Sequence, residues 1–104
     1  MRDVNLLEVT DSYKVSHYRQ YPPGTTTVFS FYESRGGAFP EITFFGLQYI
    51  LKRYMVGRVV TMDDIDEVEA DFALHFGDET LFNRSGWEHI VKVHGGRLPL
   101  LIKA

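Results

Sequence analysis

Apolar positions recur along the chain with more than one rhythm. Residues 43–56 carry Phe44, Leu47, Ile50, Leu51 and Tyr54 at helical spacing, widened by Phe45 and Met55, against a thin polar face of Gln48, Lys52 and Arg53. That pattern predicts a helix apolar enough to need cover on more than one side, closed by Gly57. Residues 62–76 place Ile65, Val68, Phe72 and Phe76 on one stripe. Thr61, with Asp64 three positions on, forms a variant capping box at their start, and Asp63 and Asp64 suit the positive end of the helix dipole. Asn83 caps a further predicted helix with Trp87, Ile90 and Val91 inward, ended by Gly95 and Gly96. Near the N-terminus, Thr10 or Asp11 can cap a short helix with Val15 and Tyr18 on its inner side, and Pro22-Pro23 stop it.

The period changes to two in TTTVFSFYESR, residues 25–35, where Phe29 and Phe31 share one face and Val28 and Tyr32 the other. This predicts a strand ending at Arg35-Gly36-Gly37. The run RLPLLIKA predicts a second one, with Leu98, Leu100, Leu101 and Ile102 buried and no return strand after it, as in a fold completed by something else. The expected class is therefore α/β (α+β): a few helices packed on a small, incomplete β-sheet.

A length of 104 residues allows one domain that buries roughly 60–70% of its extended surface. The apolar fraction of 44% with 14% aromatics places it with globular chains rather than disordered ones. Having no cysteine excludes disulfides, thiolate catalysis and cysteine-ligated zinc, and fits a reducing compartment, so a cytoplasmic location is expected. No signal peptide and no run of ~20 apolar residues is found, so a soluble protein is expected, with no membrane partner. Charge is split: residues 1–60 carry seven Lys/Arg against five acids, and residues 61–104 four against nine. The acidic run from Asp63 to Asp71 reads as a solvated helix face and opposes a general nucleic-acid footprint. An anion site must lie in the first half.

The chemistry-bearing residues each allow two readings. His17, His75, His89 and His94 lie on separate predicted helices or faces without an HExxH motif, so no metal site is expected. In SRGG, residues 34–37, a guanidinium beside two glycines can meet a phosphate, or can be an ordinary turn after a strand. Tyr13 and His17, four apart, share a face that either stacks on a planar ligand or simply makes the helix amphipathic. No Ser/His/Asp or paired-carboxylate arrangement can be assembled.

The segments TDSYKVSHYRQYPPGT, FSFYESRGG, FFGLQYILKRYMVGRVVT, HFGDETLFNRSGWEHI and GGRLPLLIKA, in this order, resemble the N-terminal region of the nicotinamide phosphoribosyltransferases. The resemblance covers nearly all of residues 1–104 and implies the N-terminal domain of a type II phosphoribosyltransferase, in the form with a short ESRGG loop. It implies a family that makes nicotinamide mononucleotide and pyrophosphate from nicotinamide and phosphoribosyl pyrophosphate in NAD salvage, with Mg2+ and ATP serving the full-length enzyme. The family's sites lie at the interface of a head-to-tail homodimer. By resemblance, Tyr13 stacks on nicotinamide held in a partner's barrel, Asp11 lines the same site, and Arg35 meets phosphate groups. The barrel, with the family's phosphorylated histidine, matches nothing here, so the chain is expected to hold no catalytic residue and no cofactor, and to be inactive alone. Two functions follow as alternatives: a half-site donor that needs a barrel-containing partner, or a noncatalytic module using the dimerisation surface. Single-strand nucleic-acid binding through the arginine-glycine loop and aromatic strand is a weaker third.

Overall fold

The computed structural model describes residues 4–104. Its organising pair is two helices. Helix α2, Met62–Phe76, begins where Thr61 is extended (φ −121°, ψ 166°). The Asp64 amide donates to Thr61 Oγ1 at 3.2 Å, and the Thr61 amide donates to Asp64 Oδ2 at 2.9 Å. Two amides that the first turn would otherwise leave unpaired are thus satisfied reciprocally, as the capping-box reading expects. Gly77, at φ 67°, ends the helix with its amide on the Ala73 carbonyl. Helix α3, Arg84–His94, starts on Asn83, whose side chain accepts from the Gly86 amide at 3.1 Å, and ends on Gly95 at φ 63°.

Between these helices and their flanks lies a small core of Leu7, Val59, Val60, Ile65, Val68 and Phe82, with Val15, Phe72, Trp87, Val91 and Leu98 partly buried against it. Ile65 and Val68 are the inward positions that the stripe in α2 predicts, whereas Phe76 and Ile90 stay only half-buried. Val59 and Val60 are among its most buried members, and their amides both donate to the Gly96 carbonyl, at 2.9 and 3.2 Å. They sit in a short link between glycine and cap, too brief to show any periodicity. The N-terminal 3-10 turn Leu6–Glu8 docks on α2 through Leu7 and through Asn5, whose amide donates to the Asp64 carbonyl at 3.1 Å.

Three expectations are corrected. The α/β class with a small sheet does not hold: among the described residues there is no strand and no sheet, and the regular structure is helical. Residues 25–45 form neither helix nor strand, with bends at Ala38 and Pro40, and all are exposed; Leu100, Leu101 and Ile102 are exposed rather than buried. A strand is a paired structure, and β-rich composition cannot supply the partner whose carbonyls and amides complete the ladder. The helix expected over 43–56 is shorter: helix α1, Leu47–Ile50, runs on into a π-helical turn, Leu51–Met55. Gly46, at φ 89°, breaks the backbone before it and leaves Phe44 and Phe45 outside. Neither part of this helix buries a residue. The expected N-terminal helix is two 3-10 turns, Ser12–Lys14 and His17–Gln20. Asp11 gives no side-chain cap; its carboxylate is taken up by Lys14 instead, at 3.1 Å. Pro22-Pro23 do end the element. No helix among the described residues is long and apolar enough to cross a membrane.

Candidate functional site

The 3-10 turn Ser12–Lys14 gathers four chemistry-bearing side chains. Asp11 and Lys14 form the 3.1 Å ion pair, and the Lys14 ammonium stands 5.7 Å from the centroid of the Tyr13 ring. His17 meets that ring edge-on, with centroids 5.6 Å apart and planes at 61°. The hydrogen bond to Asp11 raises the Lys14 pKa above its ordinary value, so the lysine is charged wherever the protein is folded near neutrality. Tyr13 remains 64% exposed although the same segment is fastened below it by Val15 on the core. Arg19 adds a second fastening by donating to the Thr80 carbonyl. The Asp78 side chain shapes that loop by accepting from the Thr80 hydroxyl at 2.7 Å and amide at 2.8 Å, bonds that hold its carboxyl below the usual range. The result is an exposed aromatic ring on a segment fastened through Val15 and Arg19, beside a cation and a neutralised carboxylate.

Arg35 stands apart. It lies exposed in the irregular segment before Gly36 (φ 84°) and Gly37 (φ 152°), and no hydrogen bond or ion pair among the described residues joins it to Asp11 or Tyr13. A shallow hollow lined by Ala73, Gly77, Asp78, Glu79 and Thr80 includes none of the three. Within this chain the expected site is therefore one cluster, Asp11 with Tyr13, and one separate arginine.

Three groupings escaped sequence reasoning. His89 and His94 were not expected to share a face, yet their rings meet at 5.5 Å where α3 runs out toward Gly95. The acidic run is not merely solvated: Arg84 crosses from α3 to Asp66 at 2.8 Å and Glu69 at 3.2 Å while also holding Glu88 at 3.1 Å. On the opposite flank Glu67 and Asp71, one turn apart, receive Glu8 from the N-terminal turn, with a ligand atom of each within 4.8 Å of the others. The hydrogen bond to Asp71 and then desolvation raise Glu8 to about 7. The i, i+4 spacing of Glu67 and Asp71 was visible; nothing near Glu8 marked it as their neighbour. A cluster of three carboxylates that includes none of Asp11, Tyr13 or Arg35 does not fit a magnesium ion working on a pyrophosphate, which takes substrate oxygens and water with one or two carboxylates.

The sequence family described as "Nicotinamide phosphoribosyltransferase, N-terminal domain" matches residues 5–102. The chain belongs to that family. A nicotinamide phosphoribosyltransferase of Xanthomonas campestris pv. campestris (strain 8004) is 52% identical over 100 residues, covering 96% of this chain and 20% of the relative. Another, from Acinetobacter baylyi (strain ATCC 33305 / BD413 / ADP1), is 31% identical over 114 residues, 97% of this chain and 22% of the relative. The chain thus spans about a fifth of the length of these curated nicotinamide phosphoribosyltransferases. The DSYK turn, the ESRGG loop and the capped α2 all fall inside the span matched by the nicotinamide phosphoribosyltransferase N-terminal domain.

Proposed function

We propose that this chain supplies the Asp11, Tyr13 and Arg35 portion of a composite site for nicotinamide and phosphoribosyl pyrophosphate, completed by polypeptide that carries the family's remaining length in a dimeric assembly. The observation that carries the reading is the posture of Tyr13: a ring anchored through its own segment yet 64% exposed, beside Asp11, in a chain of this family. Nicotinamide is flat, neutral and a weak nucleophile. Stacking it on an aromatic face fixes its ring nitrogen toward the anomeric carbon of the ribose and excludes water. As the nitrogen–carbon bond forms, the carbon–oxygen bond to pyrophosphate breaks and the leaving group keeps the electron pair. An arginine reaching those phosphates stabilises the charge that develops. Asp11, already neutralised by Lys14, can accept a hydrogen bond from the carboxamide without adding net charge to an anionic substrate. On this reading the chain alone is inactive and belongs to NAD salvage in the cytoplasm.

The test combines the purified chain with the complementary four-fifths of a full-length relative and measures nicotinamide mononucleotide. Synthesis dependent on both polypeptides is expected. In that assembly Tyr13→Ala should raise KM for nicotinamide by up to roughly 10-fold, the worth of an aromatic stack, with little effect on phosphoribosyl pyrophosphate. Arg35→Ala should do the reverse, by roughly 10- to 100-fold for a charge-assisted contact. Equal losses for both substrates in both variants would sink the assignment. Association without synthesis would favour a noncatalytic interaction module.

A further inference from the structure

Stacking on a flat substrate needs the Tyr13 ring in one orientation. An exposed tyrosine can occupy three χ1 wells, and only one of them aims the ring at a given ligand face. The turn that carries it gives little help: no residue of Ser12–Lys14 is buried, and Asp11 makes no side-chain cap. Two side chains approach the ring. The Lys14 ammonium stands 5.7 Å from its centroid, but on an exposed, flexible stem whose nitrogen is drawn to Asp11 at 3.1 Å. The other is His17, whose ring centroid lies 5.6 Å away with the planes at 61°, inside the range where edge-to-face aromatic pairs attract.

His17 is the better fixed of the two. It is half-buried where Tyr13 and Lys14 are exposed. It opens the second 3-10 turn, His17–Gln20, and that turn is tied down on both sides. Before it, Val15 packs on the core; after it, Arg19 donates through its side chain to the Thr80 carbonyl and through its amide to the Ser16 carbonyl at 3.1 Å. An imidazole with two side-chain torsions on such a backbone has little room to move. Among the described residues His17 makes no hydrogen bond or ion pair, and its one ring contact is Tyr13. We propose that His17 is a positioning residue, whose ring holds the Tyr13 ring in the orientation that stacks on nicotinamide before the substrate arrives. This rests on the stacking role given to Tyr13 in the proposed function and adds the residue that prepares it. A ring ordered in advance reduces what binding loses in side-chain freedom, for nicotinamide and not for phosphoribosyl pyrophosphate.

One arm of the test uses this chain by itself. The two Hα–Hβ couplings of Tyr13 report its χ1, standing far from the averaged value for a ring held in one well and near it for a free ring. His17→Ala should bring them to the averaged value, and His17→Phe, which keeps a ring in place, should restore the parent values. The second arm uses the two-polypeptide assembly. There His17→Ala should raise KM for nicotinamide roughly 3- to 10-fold, the worth of an aromatic pair, with kcat and the KM for phosphoribosyl pyrophosphate little changed, and His17→Phe should recover the parent KM. A merely structural role would impair the use of both substrates together. Equal losses for both therefore overturn the proposal, as do unchanged couplings in His17→Ala. An unchanged nicotinamide KM in His17→Ala beside an impaired Tyr13→Ala overturns this inference alone and leaves the proposed function standing. If Tyr13→Ala itself leaves nicotinamide use intact, or the assembly makes no nicotinamide mononucleotide, the proposed function fails and this inference with it.

Discussion

Gly96 shows how much one residue can decide. It is buried at φ +78°, and a Cβ there would lie 2.3 Å from the Val60 carbonyl oxygen and 2.9 Å from Arg58 Cγ. Gly96→Ala should therefore destabilise by at least about 1–2 kcal/mol from the backbone conformation alone. The displaced Val60 carbonyl should add to that, and the urea midpoint of the variant checks the sum. Glu8 carries a pH signature. Its folded pKa, about 7, lies above the ordinary 4.5, so its bond to Asp71 contributes stability that is complete below about 4.5 and lost as pH rises through 7. The facing groups, Glu67 and Asp71, are both acidic, and each adds to the repulsion once Glu8 ionises. Glu8→Gln keeps a donor at every pH, so its melting temperature should match the parent near pH 5 and exceed it near pH 8. An equal offset at both would show that the proton is not shared. Glu88 runs the other way: Lys92 first, then Arg84, hold its carboxyl low, so that contribution fades only as pH falls.

Among the elements, α2 was the most legible from sequence because everything defining it is local. Thr61, Asp64 and the Ile65/Val68 stripe lie within one or two turns, and the helix forms over the expected residues. Thr61→Ala should cost about 0.5–2 kcal/mol by orphaning the Asp64 amide, with loss of helical signal on heating as the readout. Helix α3 was legible for the same reason. The N-terminal element was read correctly in its stop and its two-sidedness, with Val15 packed and Tyr13 exposed, but not in its winding. A 3-10 turn and an α-turn share residue preferences, so the winding was not legible in them. The strands failed because their hydrogen bonds reach outside any local window.

At the scale of the molecule, the chain is a small helical nucleus carrying a long bare segment. Slow-exchanging amides should be confined to α2, α3 and residues 59–60, and the urea m-value should fall at or below the low end of the roughly 1–3 kcal/mol/M of small domains, because so little surface is buried. A steep m-value, with residues 25–45 protected in the isolated chain, would contradict that picture. Of the candidate site, the DSYK and ESRGG motifs were visible in sequence, and so was the family. The separation of Arg35 from Tyr13 was not, nor was the Glu8 cluster, since both depend on segments far apart in the chain. Sequence alone determined α2, α3, their caps and the kinship, because capping, periodicity and motif order are written over a few neighbouring residues. Only the tertiary structure decided that the β-rich runs stay unpaired and that Val59, Val60 and Gly96 close the core. Pairing and packing depend on which distant atoms arrive, and no local pattern encodes that arrival.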